Sequence, residues 1–253
     1  MKITFLGTGT SQGVPLIGCQ CRVCKSTDFR DNRLRSSVYI ETDDLSFVID
    51  TGPDFRQQML REDIMNMDAV LFTHGHKDHT AGFDDIRAYN YIQRKDMDVY
   101  VDENVNQVLR RDFGYVFDED KYPGVPEVSL HLFGNNPFYI ASQLIIPIKV
   151  FHYKMPVFGF RINDFAYITD ANYIPPEEMD KIRGSKVVVL NALRKETHVS
   201  HFTLDEAVSI IKELNPEKAF FTHISHQLGL HSEINSQLPK GIALAFDGLK
   251  LQL

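Results

Sequence analysis

Four potential metal ligands lie within six residues of one another in this chain: His74, His76, Asp78 and His79. They directly follow an apolar run at 69–72, which predicts a buried strand. The first two histidines are two positions apart, so in extended backbone their side chains point the same way. The last two ligands follow on a turn into a helix and can face a second, neighbouring ion. Imidazole and carboxylate together suit Zn²⁺, Mn²⁺ or Fe²⁺. The alternative is a solvated histidine-rich loop, which the preceding apolar strand disfavours.

The rest of the chain alternates strand-like and helix-like stretches in two halves. The first half predicts strands at 2–6, 37–41, 46–49, 69–72 and 98–101, and helices at 54–61, 80–93 and 103–113. The second half predicts strands at 139–141, 144–151, 158–162, 165–168, 187–190, 219–222, 242–246 and 249–253, and helices at 175–182 and 203–214. Residues 114–137 are the least regular stretch. Two facing sheets with helices outside would form an α/β, four-layer αββα sandwich, built as one domain over 1–253.

Composition limits the classes of partner. The 253 residues are 43% hydrophobic and 24% charged, which are ordinary globular values. The formal net charge of −7 disfavours general binding of long nucleic acids or anionic membranes. The apolar run at the N-terminus is too short for a signal-peptide core, so we expect a cytoplasmic protein that does not bind a membrane.

The three cysteines form one cluster, Cys19, Cys21 and Cys24, with the spacing C-x-C-x-x-C. An odd, clustered set in a reducing compartment favours metal binding over disulfides. Three thiolates leave one position open in a tetrahedral zinc site. His226, three residues after His223, is our choice for the fourth ligand. The alternatives are three reduced thiols without metal and a solvated His226.

The H-x-H-x-D-H segment after a strand resembles the signature of the metallo-β-lactamase superfamily, whose later motifs also occur in order. The resemblance implies three more ligands, His152, Asp170 and His223, each at the end of a predicted strand. It places His74, His76 and His152 on one metal, Asp78, His79 and His223 on the other, and Asp170 between them. If these three residues bind no metal, His152 is a solvated histidine, Asp170 is a turn former and His223 is a buried structural histidine. True β-lactamases of the superfamily have a cysteine at the bridging position and are exported, so an antibiotic-degrading role is not expected.

A narrower resemblance is carried by C-x-C-x-x-C, by Thr222–Gln227 (THISHQ) and by Phe246-Asp247-Gly248. These motifs are similar to those of the phosphoribosyl 1,2-cyclic phosphate phosphodiesterase branch. The resemblance implies a structural Zn²⁺ on the cysteines and His226, two Mn²⁺ or Zn²⁺ ions in the active site, and a small cyclic phosphodiester substrate. Such a substrate would be phosphoribosyl 1,2-cyclic phosphate or a 2′,3′-cyclic nucleotide.

The same relatives place before a helix a histidine that reaches the substrate phosphate, and His201, next to the predicted helix cap Thr203, matches it. His201 could protonate the leaving oxygen, and together with Asp78 it is a catalytic candidate. The alternative is a solvated histidine. The wider resemblance also includes the turn Gly7-Thr8-Gly9, which we expect to bring backbone close to the site.

The remaining polar candidates are assigned to the surface. His131, His198 and His231 are interpreted as surface residues. Arg33 and Arg35 could clamp a phosphate, but a surface salt bridge is the favoured interpretation.

Three rival functions stay open at this point. The first is a tRNA 3′-processing endonuclease, which would need a basic arm to hold RNA, and the sequence shows no long Lys/Arg-rich insertion. The second is a thioester or ester hydrolase on the same site, and the third is a non-catalytic metal-binding protein. Self-association into a homodimer is also left open.

Overall fold

The computed structural model describes residues 1–253 and contains two sheets of seven strands each. The strands are β1 (Lys2–Gly7), β2 (Ser37–Glu41), β3 (Ser46–Ile49), β4 (Ala69–Leu71), β5 (Met97–Val101), β6 (Val128–Leu132), β7 (Phe138–Ile140), β8 (Gln143–His152), β9 (Met155–Ile162), β10 (Phe165–Tyr167), β11 (Val187–Asn191), β12 (Lys218–Thr222), β13 (Ile242–Leu244) and β14 (Lys250–Gln252). The helices are α1 (Phe55–Arg61), α2 (Lys77–Thr80), α3 (Arg87–Gln93), α4 (Glu103–Asp112), α5 (Pro176–Ile182), α6 (Leu204–Leu214) and α7 (His231–Gln237). Short 3-10 turns occur at Phe29–Asp31, Phe83–Ile86 and Gly114–Val116.

The strand order is β14-β1-β2-β3-β4-β5-β6 in the first sheet and β13-β12-β11-β10-β9-β8-β7 in the second. Strands β3 to β6 run parallel, and so do β10 to β13, whereas the other pairings are antiparallel. In each half of the chain, the parallel strands therefore all end at the same edge of their sheet.

Three separate hydrophobic cores demonstrate the four layers. One core lies between the sheets, one between the first sheet and helices α1, α3 and α4, and one between the second sheet and helices α5 to α7. Strand β11 shows the underlying period of two: Val187 and Val189 face the core between the sheets, while Val188 and Leu190 face the helices. Because both faces of the strand are buried, it is apolar over most of its length. The predicted αββα sandwich is confirmed.

Three elements differ from the sequence prediction. Strand β6 lies within the stretch expected to be irregular; it is a half-exposed edge strand, so it carries little apolar signal. Helix α7 was not predicted, since it has only seven residues and no side-chain cap. The single helix expected at 80–93 is broken after α2, where Gly82 packs on Gly52 so tightly that a Cβ would lie 2.2 Å from the Gly52 carbonyl oxygen.

The parallel strands fix where polar side chains collect. Strands β3 and β4 of one sheet and β10 and β12 of the other end at a common edge. The segments that follow β4, β10 and β12 carry the predicted ligands of the dinuclear site except His152, which is the last residue of β8. No helix has both the length and the apolar character needed to span a lipid bilayer.

Candidate metal centre

The strand ends turn sharply at three residues of the site. Asp50 after β3, Asp170 after β10 and His223 after β12 have φ angles of 66°, 52° and 56°. Non-glycine residues rarely occupy this left-handed region, and they cluster at functional sites, where surrounding contacts stabilise them. These turns direct the three side chains into the space between the two sheets' carboxyl ends.

Four predicted ligands form one group in this space: Asp78, His79, Asp170 and His223, whose ligating atoms all lie within 4.8 Å of one another. The His79 Nε2 atom lies 3.2 Å from Asp78 Oδ2 and 3.1 Å from Asp170 Oδ2. The His223 Nδ1 atom lies 3.1 Å from the same Asp170 oxygen. Two carboxylates and two imidazoles thus converge on one point, as a divalent cation requires.

The orientation of His79 is set by Asp50, a residue that the sequence analysis missed. Asp50 is fully buried, and its Oδ2 lies 2.7 Å from His79 Nδ1. Because a carboxylate oxygen accepts hydrogen bonds, the Nδ1 atom of His79 carries a proton, and the Nε2 atom is the one that faces the cluster. That Nε2 atom is buried without a hydrogen-bond partner, which fits a metal ligand.

Thr73 fixes the tautomer of His74 in the same way. The Thr73 hydroxyl donates to Asp50 at 2.8 Å, so it can only accept from His74 Nδ1 at 2.9 Å. The Nε2 lone pair of His74 therefore faces the site, where it lies 3.1 Å from His76 Nδ1.

His152 lies near His74 and His76 but does not form a group of ligating atoms with them. Its Nδ1 donates to the carbonyl oxygen of Ser200 at 2.9 Å, which leaves Nε2 unprotonated. Its ring centroid lies 6.0 Å from that of His74 and 5.2 Å from that of His76. His152 is held closer to Asp170 and His201, with which it forms a second group of possible ligands within 4.8 Å.

His201 lies in the wall of the site. It is 8% exposed, and its Nε2 is 3.1 Å from Asp170 Oδ1. Its ring stacks on His223 with centroids 4.9 Å apart and contacts His152 edge-on at 4.6 Å. The Nε2 nitrogen of His201, which can donate or accept a proton, is thus aimed at Asp170.

The charges of the cluster suit a bound cation. Burial alone would raise the pKa of Asp170, but His223 and His79 hold it well below the usual value, and the pKa of Asp78 is lowered by His79 in the same way. Burial lowers the pKa of His223 to about 3 and that of His74 well below 6.5, so both imidazoles are neutral and can ligate. Only His79 departs from this pattern: burial would lower its pKa, yet Asp78, Asp170 and Asp50 raise it well above 6.5. A bound divalent ion would take over that positive charge and release the proton.

The glycine-rich turn at the N-terminus lies against the His223 segment. The backbone N–H of Ile224 donates to Thr8 O at 2.9 Å, and the Thr10 N–H donates to Ile224 O at 3.1 Å. The Thr10 hydroxyl is 3.2 Å from His223 Nε2. The close approach depends on glycine, because a Cβ on Gly7 would lie 1.9 Å from the Arg35 carbonyl oxygen.

The cysteine cluster meets His226 as a second, separate centre. The ligating atoms of Cys19, Cys21, Cys24 and His226 all lie within 4.8 Å of one another. The Nδ1 atom of His226 is 3.6 Å from Cys19 Sγ and 3.4 Å from Cys21 Sγ. The Cys24 N–H and His226 stabilise the Cys21 thiolate and lower its pKa to about 6, whereas burial raises the pKa of Cys24 to about 11. Four ligands of this kind match a structural zinc site.

Two assignments to the surface are wrong. Arg33 is 3% exposed and donates to Thr8 Oγ1 at 2.8 Å and to Ala245 O at 2.6 Å, so it is neither a phosphate clamp nor a surface ion pair. His231 is also 3% exposed and lies 3.0 Å from Arg33. The prediction for both residues was wrong because a charged or polar side chain can be buried when its polar atoms find hydrogen-bond partners. The sequence does not show those partners.

The other three residues assigned to the surface, Arg35, His131 and His198, are partly exposed. Arg35 pairs with Asp54 at 3.1 Å, and His131 pairs with Asp98 at the surface at 2.7 Å. His198 is only half-exposed and contacts His201, a contact that the sequence did not indicate.

A family model described as a beta-lactamase superfamily domain matches residues 46–224. The crystal structure of a diphosphatase from the PhnP family is 42% identical, with a TM-score of 0.93 over 100% of this chain and 97% of that chain. Human short-form tRNase Z is 17% identical, with a TM-score of 0.74 over 100% of this chain and 99% of that chain, and indicates the fold alone.

One curated relative has a different name. An octanoyltransferase of Porphyromonas gingivalis is 38% identical over 253 residues, which are 99% of this chain and 51% of that protein. The chain therefore spans about half the length of this relative.

Proposed function

We propose that this chain, which belongs to the beta-lactamase superfamily, is a metal-dependent phosphodiesterase that hydrolyses a small cyclic phosphodiester. The observation that carries the proposal is the convergence of imidazole and carboxylate side chains on one buried point, with His201 beside it. The 42% identity to a PhnP-family diphosphatase over the whole chain supports phosphorus chemistry in particular.

The residues would hold two divalent ions, Zn²⁺ or Mn²⁺. His74, His76 and His152 would hold one, Asp78, His79 and His223 the other, and Asp170 would lie between them. The fit rests on Nε2 atoms that hydrogen bonds to Asp50, Thr73 and the Ser200 carbonyl direct inward. When bound, such a pair polarises a phosphoryl oxygen and makes water a nucleophile at neutral pH. A structural Zn²⁺ would occupy the cysteine site with His226.

The chain itself supplies the proton for the leaving group. His201 Nε2 points at Asp170, which both ligand groups share, so it can donate to the oxygen that departs as the phosphorus–oxygen bond breaks. An alkoxide is a poor leaving group, and its protonation matters most for substrates such as ribose cyclic phosphates.

A second candidate is hydrolysis of a diphosphate linkage, favoured by the diphosphatase to which the chain is 42% identical. The same ligands would serve, but the leaving group would be a phosphate, which departs readily without an acid. Octanoyl transfer is named for a protein about twice as long as the matched region, so the name assigns no activity to the matched half.

A substrate panel on Mn²⁺- or Zn²⁺-loaded protein tests the proposal. We expect turnover of phosphoribosyl 1,2-cyclic phosphate or a 2′,3′-cyclic nucleotide, and His201→Ala should lower it by ~10²–10⁴, the usual contribution of a general acid. His131→Ala is the matched control, because that histidine bonds an aspartate at the surface.

Each rival has an outcome in the same panel. Faster cleavage of a dinucleotide diphosphate than of any diester would favour the diphosphatase. Cleavage of precursor tRNA at its 3′ end, or of an octanoyl thioester with no phosphorus ester cleaved, would reject the proposal.

A further inference from the structure

The loop between Arg194 and helix α6 brings a second histidine to the outer edge of His201. The Nδ1 atoms of His198 and His201 are 3.1 Å apart, and their ring centroids are 5.0 Å apart. The Ser200 hydroxyl lies between them, 3.1 Å from His201 Nδ1 and 3.3 Å from His198 Nδ1. The nitrogen of His201 that faces away from the metal centre therefore has two polar neighbours and no other hydrogen-bond partner.

The donors in this contact can be assigned. The Ser200 backbone N–H donates to His198 Nδ1 at 3.3 Å, so that nitrogen carries a lone pair. Two facing nitrogens can hydrogen-bond only if one of them carries a proton, and here it is Nδ1 of His201.

We propose that His198 is a positioning residue: by accepting a hydrogen bond from Nδ1 of His201, it orients that ring so that Nε2 faces the phosphorus–oxygen bond that breaks. The inference rests on the proposed function of His201. In the step itself, the Nε2 proton moves to the leaving oxygen, and His201 is left neutral with its proton on Nδ1. His198 favours that product tautomer as well as the ring orientation.

Other contacts hold the loop backbone without His198. Arg194 donates to the Thr197 carbonyl oxygen at 2.9 Å, Asn172 donates to the Val199 carbonyl oxygen at 3.2 Å, and His152 donates to Ser200 O at 2.9 Å. His198 is half-exposed, so its removal leaves no buried polar group without a partner. A His198 variant should therefore keep the fold and the metal ligands.

A double-mutant cycle on two substrates tests the inference. The substrates are a 2′,3′-cyclic nucleotide, whose leaving group is an alkoxide, and bis(p-nitrophenyl) phosphate, whose leaving group needs no acid. His198→Ala should lower kcat about tenfold on the cyclic nucleotide, the effect of one lost hydrogen bond, with KM and metal content unchanged. It should change kcat on the p-nitrophenyl ester by less than about twofold, since that reaction does not depend on an acid. His198→Asn should recover most of the loss, because its carbonyl oxygen can accept in place of Nδ1.

In the His201→Ala background, His198→Ala should have no further effect. An equal loss on both substrates, or the same loss without His201, would overturn the inference. A wild-type protein that cleaves no phosphorus ester would instead contradict the proposed function, and the inference with it.

Nitrogen NMR gives a readout that does not depend on turnover. In ¹⁵N-labelled, Zn²⁺-loaded wild-type protein, His201 should show a protonated Nδ1. In the His198→Ala variant this signal should move towards a mixture of tautomers. A protonated Nδ1 of unchanged shift in that variant would also overturn the inference.

Discussion

At the scale of single residues, the site is organised by hydrogen bonds to the nitrogens that do not face it. Asp50, Thr73 and the Ser200 carbonyl oxygen each fix one imidazole so that the other nitrogen points inward. The H-x-H-x-D-H segment could be recognised in the sequence because four candidate ligands fall within six residues, directly after an apolar run. Asp50 could not, since one aspartate after a strand reads as a turn former, and its role depends on a contact across 29 positions.

Asp50→Asn should disable the site while the fold is kept. Asp50 now accepts hydrogen bonds from three donors, namely the Thr73 N–H, the Thr73 hydroxyl and His79 Nδ1. The amide nitrogen of asparagine is itself a donor, so it would face one of these donors without forming a hydrogen bond. We expect metal affinity or turnover to fall about 10–100-fold, as for other partners of metal-binding histidines. The measurement is metal content by elemental analysis beside kcat/KM. Asp98→Asn is the control, because Asp98 also bonds a histidine but lies at the surface. Equal losses in both variants would show that Asp50 has no special role.

His231 predicts a pH-dependent stability that is independent of catalysis. Burial, with Arg33 and Arg30 nearby, lowers its pKa from 6.5 to about 4. Because the folded pKa lies below the unfolded one, the stabilisation is complete above about pH 6.5 and is lost as the pH falls towards 4. Urea unfolding of His231→Asn should show a smaller loss between pH 7 and pH 4.5 than wild type, by about 1–3 kcal/mol. His131→Asn should behave as wild type, and a parallel fall for His231→Asn and wild type would refute the assignment.

At the scale of elements, strands were predicted well where both faces are buried and poorly at edges. Strand β11 was evident as a continuous apolar run, whereas β6 pairs on one side only and its residues are partly exposed. The segment before β2 is stabilised differently from the strands. Residues 10–35 have little regular structure, and they are held by isolated backbone hydrogen bonds, such as the one from Val14 N–H to the Arg33 carbonyl oxygen at 2.9 Å, together with contacts between side chains.

Cys21→Ser should release one zinc and destabilise this loop, because a structural site contributes folding free energy. We expect a loss of at least about 2 kcal/mol, which lowers Tm by roughly 4–8 °C in a chain of this size. Elemental analysis and thermal melting measure the two effects. Arg22→Ala lies in the same loop and removes only an exposed ion pair with Glu233, so it should keep its zinc and melt close to wild type. A Cys21→Ser protein with full metal and a normal Tm would mean that the cysteines are not ligands.

At the scale of the whole molecule, the site exists because two similar halves end their parallel strands at a shared edge. The αββα arrangement followed from the alternation of strands and helices, and three cores now account for it. The sequence alone could not show that Arg33 and His231 are interior residues. Their contacts join segments about 200 positions apart, which local patterns do not register.

Metal titration of phosphodiesterase activity tests the central claim most directly. Protein stripped of metal is given Zn²⁺ or Mn²⁺ in steps, and bound ions per chain are counted beside hydrolysis of a cyclic nucleotide. The seven ligands proposed for a dinuclear site and the four proposed for a zinc site predict about three ions per chain. Activity should appear only as the dinuclear site fills, and Asp170→Ala, which removes the shared ligand, should abolish it. Full activity with one ion per chain, or with none, would contradict the account.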